Sequence, residues 1–475
     1  MNARCLGGEL DTAQPLAELL TCQQAAQSTQ GAPALALRLD RLQRLHALIV
    51  DNQIAICAAI AADFGTRSVT ETTLLEIVPT LNAIVHARRH LRRWMRPRRR
   101  AVAWQFQPAR AWVQHQPLGV VGIVAPWNYP LLLALSPLVD AFAAGNRALI
   151  KPSELTPAWS ELLQRLVASQ FEPAELAVVT GGPAVAQAFC ALPFDHLVFT
   201  GSTGVGRQVM QAAAANLTPV TLELGGKSPA IVGAAYADDK AARSIAFGKF
   251  VNAGQTCIAP DYVLVPRARL DTLAQALMSR LRTCYPAVAG NDDYASIISP
   301  RHHQRLVNAV DEARARGARV LVHGDGGDAA ARKVAPTLVI DPPLDILLMR
   351  EEIFGPVLPL VPYDKLDEAI AFVNRNDRPL ALYCLTNDAA ERDAVLASTL
   401  SGGVTLNGTL LHLAQDALPF GGVGASGLGA YHGEDGFKRL SHARGVHQVG
   451  WFNGFELLAP PYGALAERAR RWLAR

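Results

Sequence analysis

The chain has 475 residues, half of them hydrophobic and 18% charged, with a net charge of +4. That length exceeds one ordinary core and that composition excludes disorder, so two or more globular domains are expected. The small positive excess gives no reason to expect a nucleic-acid partner. Seven cysteines without CxxC spacing, behind no secretory h-region, argue against a disulfide framework or zinc site and for a cytoplasmic protein.

Residues 1–34 are polar and rich in Ala and Gln, and are expected to be frayed or loosely helical. From Leu35 to Ala62 apolar residues recur at three-to-four spacing, which predicts a helix. A second helical stretch, 71–96, runs into the cluster RRHLRRWMRPRRR (88–100). Trp94 and Met95 interrupt that cluster and no regularly spaced aromatics follow, so it reads as a solvated helix face rather than an anion-binding patch. After Pro117, VVGIVA (120–125), RALIK (147–151), LAVVT (176–180), HLVFT (196–200) and VTLEL (220–224) read as strands separated by helical segments. That alternation predicts a parallel sheet covered by helices. A second α/β unit resumes with PAIV after Ser228, a helix over 241–250 and DYVLV, and runs to about Thr405. The longest apolar run, LGVVGIVAPWNYPLLLAL, is broken by Pro126, Asn128 and Pro130, so no membrane span is expected.

Several short stretches could carry chemistry, and each also has a plain structural reading. In APWNYP (125–130) two prolines aim Trp127 and Asn128, whose amide could donate to an oxyanion; a rigid loop would look the same. KPSE (151–154) ends a strand, where Lys151 and Glu154 could hold ribose hydroxyls or be a surface lysine and a helix cap. FTGSTGVGR (199–207) opens a helix with glycines spaced GxxGxG, suited to a phosphate or only to a tight turn. In ELGGK (223–227) a carboxylate closes an apolar strand, and Glu223 is either a base of raised pKa or a satisfied buried glutamate. EEIFGPVLP (351–359) offers Glu352 to a ribose and Phe354 to a ring, and PFGGVGASGLG (419–429) is a glycine-dense loop. Cys257, in VNAGQTCIAP, lies about 34 residues after Glu223, one strand–helix excursion away, so the two could face each other across a cleft. The other six cysteines read as small buried hydrophobes.

PWNYP, KPSE, FTGSTGVGR, ELGGK, GQTC, EEIFGPV and PFGG, in this order between 126 and 422, resemble the aldehyde dehydrogenase superfamily. The phrases GQTCIAPDYVL, LLHLAQDALPFGGVGASGLGAYHG and FNGFELLAPPYG look like its class 3 branch, and DRLQRLHALIVDN with HLRRWMRPRRR looks like the bacterial coniferyl aldehyde dehydrogenases. The chain departs from the pattern at NGTLLH, where an aspartate would follow Asn407.

The resemblance implies an α/β fold: a Rossmann-like cofactor domain over 1–225 rejoined by 406–430, a catalytic domain over 226–405, a β oligomerisation element from 101–118 and 431–447, and a tail over 448–475. It implies oxidation of an aldehyde, aromatic and coniferaldehyde-like, to the acid through a thioester on Cys257. Asn128 would hold the oxyanion and Glu223 would activate water. NAD, with NADP as a second possibility, would be bound by Trp127, Lys151, Glu154, Gly201, Ser202, Gly206, Leu224, Glu352 and Phe354, with no metal. A homodimer is implied. A medium-chain aliphatic substrate, an esterase activity and a non-catalytic crystallin-like role are the other readings. Glu223 speaks against transfer of the acyl group to coenzyme A, and the cofactor set speaks against an esterase.

Overall fold

A computed structural model describes residues 13–324 and 326–474. Ala13–Gln30 is a docked helix and not a frayed end: Leu16 and Leu20 are buried, and the buried Gln23 amide donates to the carbonyls of Ala148 and Pro173, 2.9 Å each. Residues 1–12 lie outside the described part. The helix expected over 35–62 is two, Leu35–Asp51 and Gln53–Phe64, meeting at 69°. Asn52 makes the break, its side-chain amide donating back to the Leu48 carbonyl at 2.8 Å and competing with the helix ladder. The stretch 71–96 is likewise interrupted. A π-helical turn, Thr73–Ile77, precedes the helix Val78–Trp94. Pro79 has no N–H for the Leu75 carbonyl and its ring crowds it, which accounts for the widened turn.

The predicted strands form as expected, because fully buried β-branched runs have few alternatives. Val120–Val124, Arg147–Lys151, Leu176–Val178, His196–Gly201 and Val220–Leu224 are parallel neighbours in a six-stranded sheet. Gly427–Leu428 adds antiparallel to Val220–Leu224, with Gly427 opposite Glu223. A seven-stranded sheet contains Pro229–Val232, Tyr262–Pro266, Val357–Tyr363, Ala381–Leu385 and Gly403–Leu406 in parallel. Thr337–Ile340 is also parallel there, and Arg319–Val322 is antiparallel at one edge. A third sheet pairs Arg110–Pro117 between Arg98–Arg100 and Ser441–Gln448.

Within the arginine cluster Trp94 is fully buried, while Arg93, Arg98 and Lys438 converge on Glu434. No single described helix is long and apolar enough to cross a membrane.

Candidate active site

The loop carrying Cys257 leaves the helix Asp238–Phe250 through three left-handed residues, Asn252 (φ 50°), Ala253 (φ 49°) and Gly254 (φ 75°). Such backbone is costly for Asn and Ala and persists only where surroundings hold it. Here they do. The buried Gln255 amide donates to the carbonyls of Asn252 (3.0 Å) and Ser296 (3.1 Å) and accepts from the Ile298 N–H (3.0 Å). The Thr256 hydroxyl shares a 2.7 Å hydrogen bond with Tyr129. Cys257 therefore projects from a rigid turn.

Asn128 faces the same turn. Its side-chain amide donates to the Gln255 carbonyl at 3.1 Å. That bond uses one of the two N–H groups, and the amide also lines the cavity it shares with Cys257. Glu223, opposite, is buried with neither carboxylate oxygen hydrogen-bonded among the described residues. Burial alone raises its pKa well above the ordinary carboxylate range. Burial, then the carboxylates of Glu352 and Glu223, push the Cys257 thiol up to about 12; its own N–H and that of Ile258 partly oppose this. Burial and Asp261 raise Glu352 to about 8, against the Gly226 N–H and two lysines.

Cys257 stands where two cavities meet. One, lined by Trp127, Asn128, Thr200, Gly201, Ser202, Gly204, Glu223, Leu224, Gly225, His302, Arg305, Glu352 and Phe354, continues past Trp127 to Lys151 and Glu154. The other is an apolar tunnel of about 220 Å³ walled by Leu74, Leu75, Tyr129, Leu132, Phe247, Leu410 and Phe420, with Asp416, Tyr431 and His432 among its polar groups.

The aldehyde dehydrogenase family description matches residues 11–446. The coniferyl aldehyde dehydrogenase of Pseudomonas sp. strain HR199 is 45% identical over 450 residues, covering 94% of this chain and 93% of the relative. The dimeric NADP-preferring aldehyde dehydrogenase of Mus musculus is 40% identical over 86% of this chain and 89% of its own. A structure described as the substrate-bound state of Staphylococcus aureus AldH superposes with a TM-score of 0.91 at 37% identity, over 96% of this chain and 99% of that one. The chain belongs to the aldehyde dehydrogenase family. It is an oxidoreductase acting on aldehydes with a nicotinamide cofactor.

In this aldehyde dehydrogenase the long cleft suits such a cofactor. The helix Thr203–Ala214 points its N-terminus into the cleft, with Ser202 as its cap. Lys151 is buried beside Glu154 at 3.2 Å, the carboxylate reaching solvent. The Thr200 hydroxyl, buried in the cleft wall, has no partner among the described residues. Glu352 lies so close to Gly225 that a Cβ there would sit 1.9 Å from its Oε2. Phe354, with φ 50°, sets its ring 5.4 Å from that of Trp127.

Of the residues expected at the cofactor, Trp127, Lys151, Glu154, Gly201, Ser202, Leu224, Glu352 and Phe354 line this cleft. Gly206 does not. It packs behind, where a Cβ would meet Leu224 at 2.6 Å, so its small size serves helix-on-strand packing, and Gly204 is the glycine at the cleft. Sequence reasoning missed Thr200, His302 and Arg305. Thr200 ends a parallel strand, a usable signal; the other two come from a helix 43 residues and more beyond Cys257, with no local mark.

Proposed function

We propose that this enzyme oxidises an aromatic aldehyde such as coniferaldehyde to its carboxylic acid, using NAD and, second, NADP. The observation that carries the chemistry is Cys257 at the junction of the apolar tunnel and the cofactor cleft, with Asn128 and Glu223 on the same cavity wall.

An aldehyde has no leaving group, so hydride can depart only from a tetrahedral, anionic carbon. The Cys257 thiolate adds to the carbonyl carbon. The free N–H of the Asn128 amide and the Cys257 backbone N–H hold the oxyanion, each such donor lowering the barrier by roughly 3 kcal/mol. A nicotinamide held in the cleft by Lys151, Glu154 and Glu352 would supply the acceptor for the hydride and its electron pair. The carbonyl re-forms as a thioester on Cys257. Glu223 takes a proton from water, the water oxygen bonds to the thioester carbon, and the C–S bond breaks to return the Cys257 thiolate and release the acid; Glu223 then passes its proton to solvent. Burial raises the pKa of Glu223, so its basic form, and with it deacylation, grows as pH rises. Lys151 and Glu154 would hold one ribose and Glu352 the other. The exposed Glu154 carboxylate disfavours a 2′-phosphate, which supports NAD first.

Three observations support the aromatic substrate. A relative bears the coniferyl name. The tunnel is largely apolar, and the rings of Tyr129, Phe247 and Phe420 line it. Asp416, half-buried in its wall, has no hydrogen-bond or ion-pair partner among the described residues and can accept from a phenol hydroxyl.

We further propose a homodimer. Ser441–Gln448 is an exposed edge strand whose outer backbone groups can pair with a second copy, and one relative is described as dimeric. The division into a cofactor domain (1–225 with 406–430), a catalytic domain (226–405), an oligomerisation element (101–118 with 431–447) and a tail (448–475), and a cytoplasmic location, belong to the same proposal.

The deciding experiment follows NAD(P)H absorbance with coniferaldehyde, benzaldehyde and hexanal, each with NAD and with NADP, beside Cys257→Ala. Turnover with coniferaldehyde that vanishes in the variant is expected. A much higher kcat/KM for hexanal would overturn the aromatic assignment, and undiminished turnover in Cys257→Ala would overturn the nucleophile.

A further inference from the structure

We propose that Arg67 is a positioning residue for the Asn128 amide, acting from a dry ion pair that the mechanism above does not use; the inference rests on Asn128 holding the oxyanion. The Arg67 and Glu76 side chains are both fully buried and 3.0 Å apart. Arg67 Nη1 donates to the backbone carbonyl of Asn128 at 3.0 Å. Its guanidinium lies over the rings of Phe64 (4.7 Å) and Tyr129 (5.0 Å), which fix its plane. The second carboxylate oxygen of Glu76 accepts the N–H groups of Leu131 (2.8 Å) and Leu132 (3.2 Å). One pair therefore grips the segment 128–132 at both ends.

The same carbonyl is bound from the nucleophile's side. Asn252 Nδ2 donates to Asn128 O (3.0 Å) and to Gln255 O (3.2 Å), and Gln255 O also accepts the Asn128 side-chain amide. With its carbonyl held by Arg67 and one amide N–H held by Gln255, Asn128 has little freedom to turn the other N–H away from the cleft. A buried ion pair is a poor source of stability, because desolvation cancels most of its attraction. Its supply here is direction: the planar guanidinium sets Nη2 in an ion pair with Glu76 while Nη1 donates to Asn128 O, two separate points that the single ammonium of a lysine cannot occupy together. The widened turn before Pro79 carries Glu76 into that position.

The test is a double-mutant cycle on the full-length enzyme, with acylation read as the single-turnover burst of NADH at saturating aldehyde. Arg67→Met is expected to slow the burst by about 10–100-fold, while aldehyde KM changes less than about threefold. Alkylation of Cys257 by iodoacetamide, which forms no oxyanion, is expected to stay within about twofold. In the Asn128→Ala background, Arg67→Met is expected to add less than about twofold, since the group it positions is gone. Should Arg67→Met fail to fold, Arg67→Lys and Glu76→Gln carry the same comparison. Losses that multiply in a slow Asn128→Ala background, or an equal loss of alkylation, would sink the role of Arg67 alone. A full-rate Asn128→Ala burst would sink the oxyanion reading and this proposal with it.

Discussion

Among the described residues Glu223 has no partner for either oxygen, and this is the feature of the site that elementary electrostatics would least permit in a purely structural residue. Burial raises its pKa well above the ordinary carboxylate range, which favours the neutral form and weakens the repulsion that the charged form exerts on the Cys257 thiolate. Its proposed role comes later, on water. Glu223→Gln is therefore expected to keep the first-turnover burst of NAD(P)H and to slow steady turnover by about 10²–10⁴-fold, in stopped-flow traces. In the parent enzyme the steady rate should climb with pH, because the basic form of a group with a raised pKa grows as pH rises. A burst lost in Glu223→Gln would mean that the carboxyl acts on the thiol instead.

At the scale of elements, the turns decide the site more than the strands do. The strand ends deliver Lys151, Thr200 and Glu223 to one edge of the six-stranded sheet, as parallel topology dictates. The left-handed run Asn252–Gly254 then swings Cys257 toward that edge from the other side. Gly254 is constrained twice there: its φ is 75°, and a Cβ would fall 2.3 Å from the Gly355 carbonyl oxygen. Gly254→Ala is expected to cost roughly 2–4 kcal/mol in chemical denaturation and to cut acylation with it, since the backbone atom in its way cannot move aside like a side chain. A variant of parental stability and rate would show the turn to be pliable. Strand and helix positions were legible because buried β-branched runs and three-to-four spacing each have one stable outcome. The break at Asn52 and the widened turn before Pro79 were not read, although both residues stand in plain view. Either residue can also sit in a continuous helix, and packing of the segments against different neighbours decides.

At the scale of the molecule, Asp140 ties the helix Leu132–Ala144 to the segment that carries His432, whose N–H donates to its Oδ2 at 3.0 Å. Gly436 leaves room for this carboxyl, a Cβ there falling 2.0 Å from the same oxygen. Burial raises Asp140 from 3.8 to about 8. Between those values the native state holds a proton that the unfolded chain has lost, so its contribution to stability falls as pH rises from about 4 to about 8. Asp140→Asn removes that titration. The variant is expected to lose less stability than the parent between pH 6 and pH 8.5, the gap reaching roughly 1–3 kcal/mol, by urea unfolding at each pH. Parallel pH profiles for the two proteins would contradict it.

By itself the sequence determined the family and the parallel strands, because these rest on local text: apolar runs between helical segments, small residues at a strand-to-helix turn, prolines around Asn128; through the family it also pointed to Cys257 as the nucleophile proposed above. The Gly206 assignment shows the limit of such text, since spacing cannot tell a glycine that faces a cleft from one that lets a helix approach Leu224. Only the tertiary structure decided which charges are dry. In sequence Arg67 looks like a loop charge between two helical stretches, Glu76 like one more charge on the second of them, and Asp140 like a polar residue in an apolar helix. Their environments come from segments up to hundreds of residues away, as the contact between Asp140 and His432 illustrates. Desolvation is a property of everything packed around a group, and no window of sequence contains it.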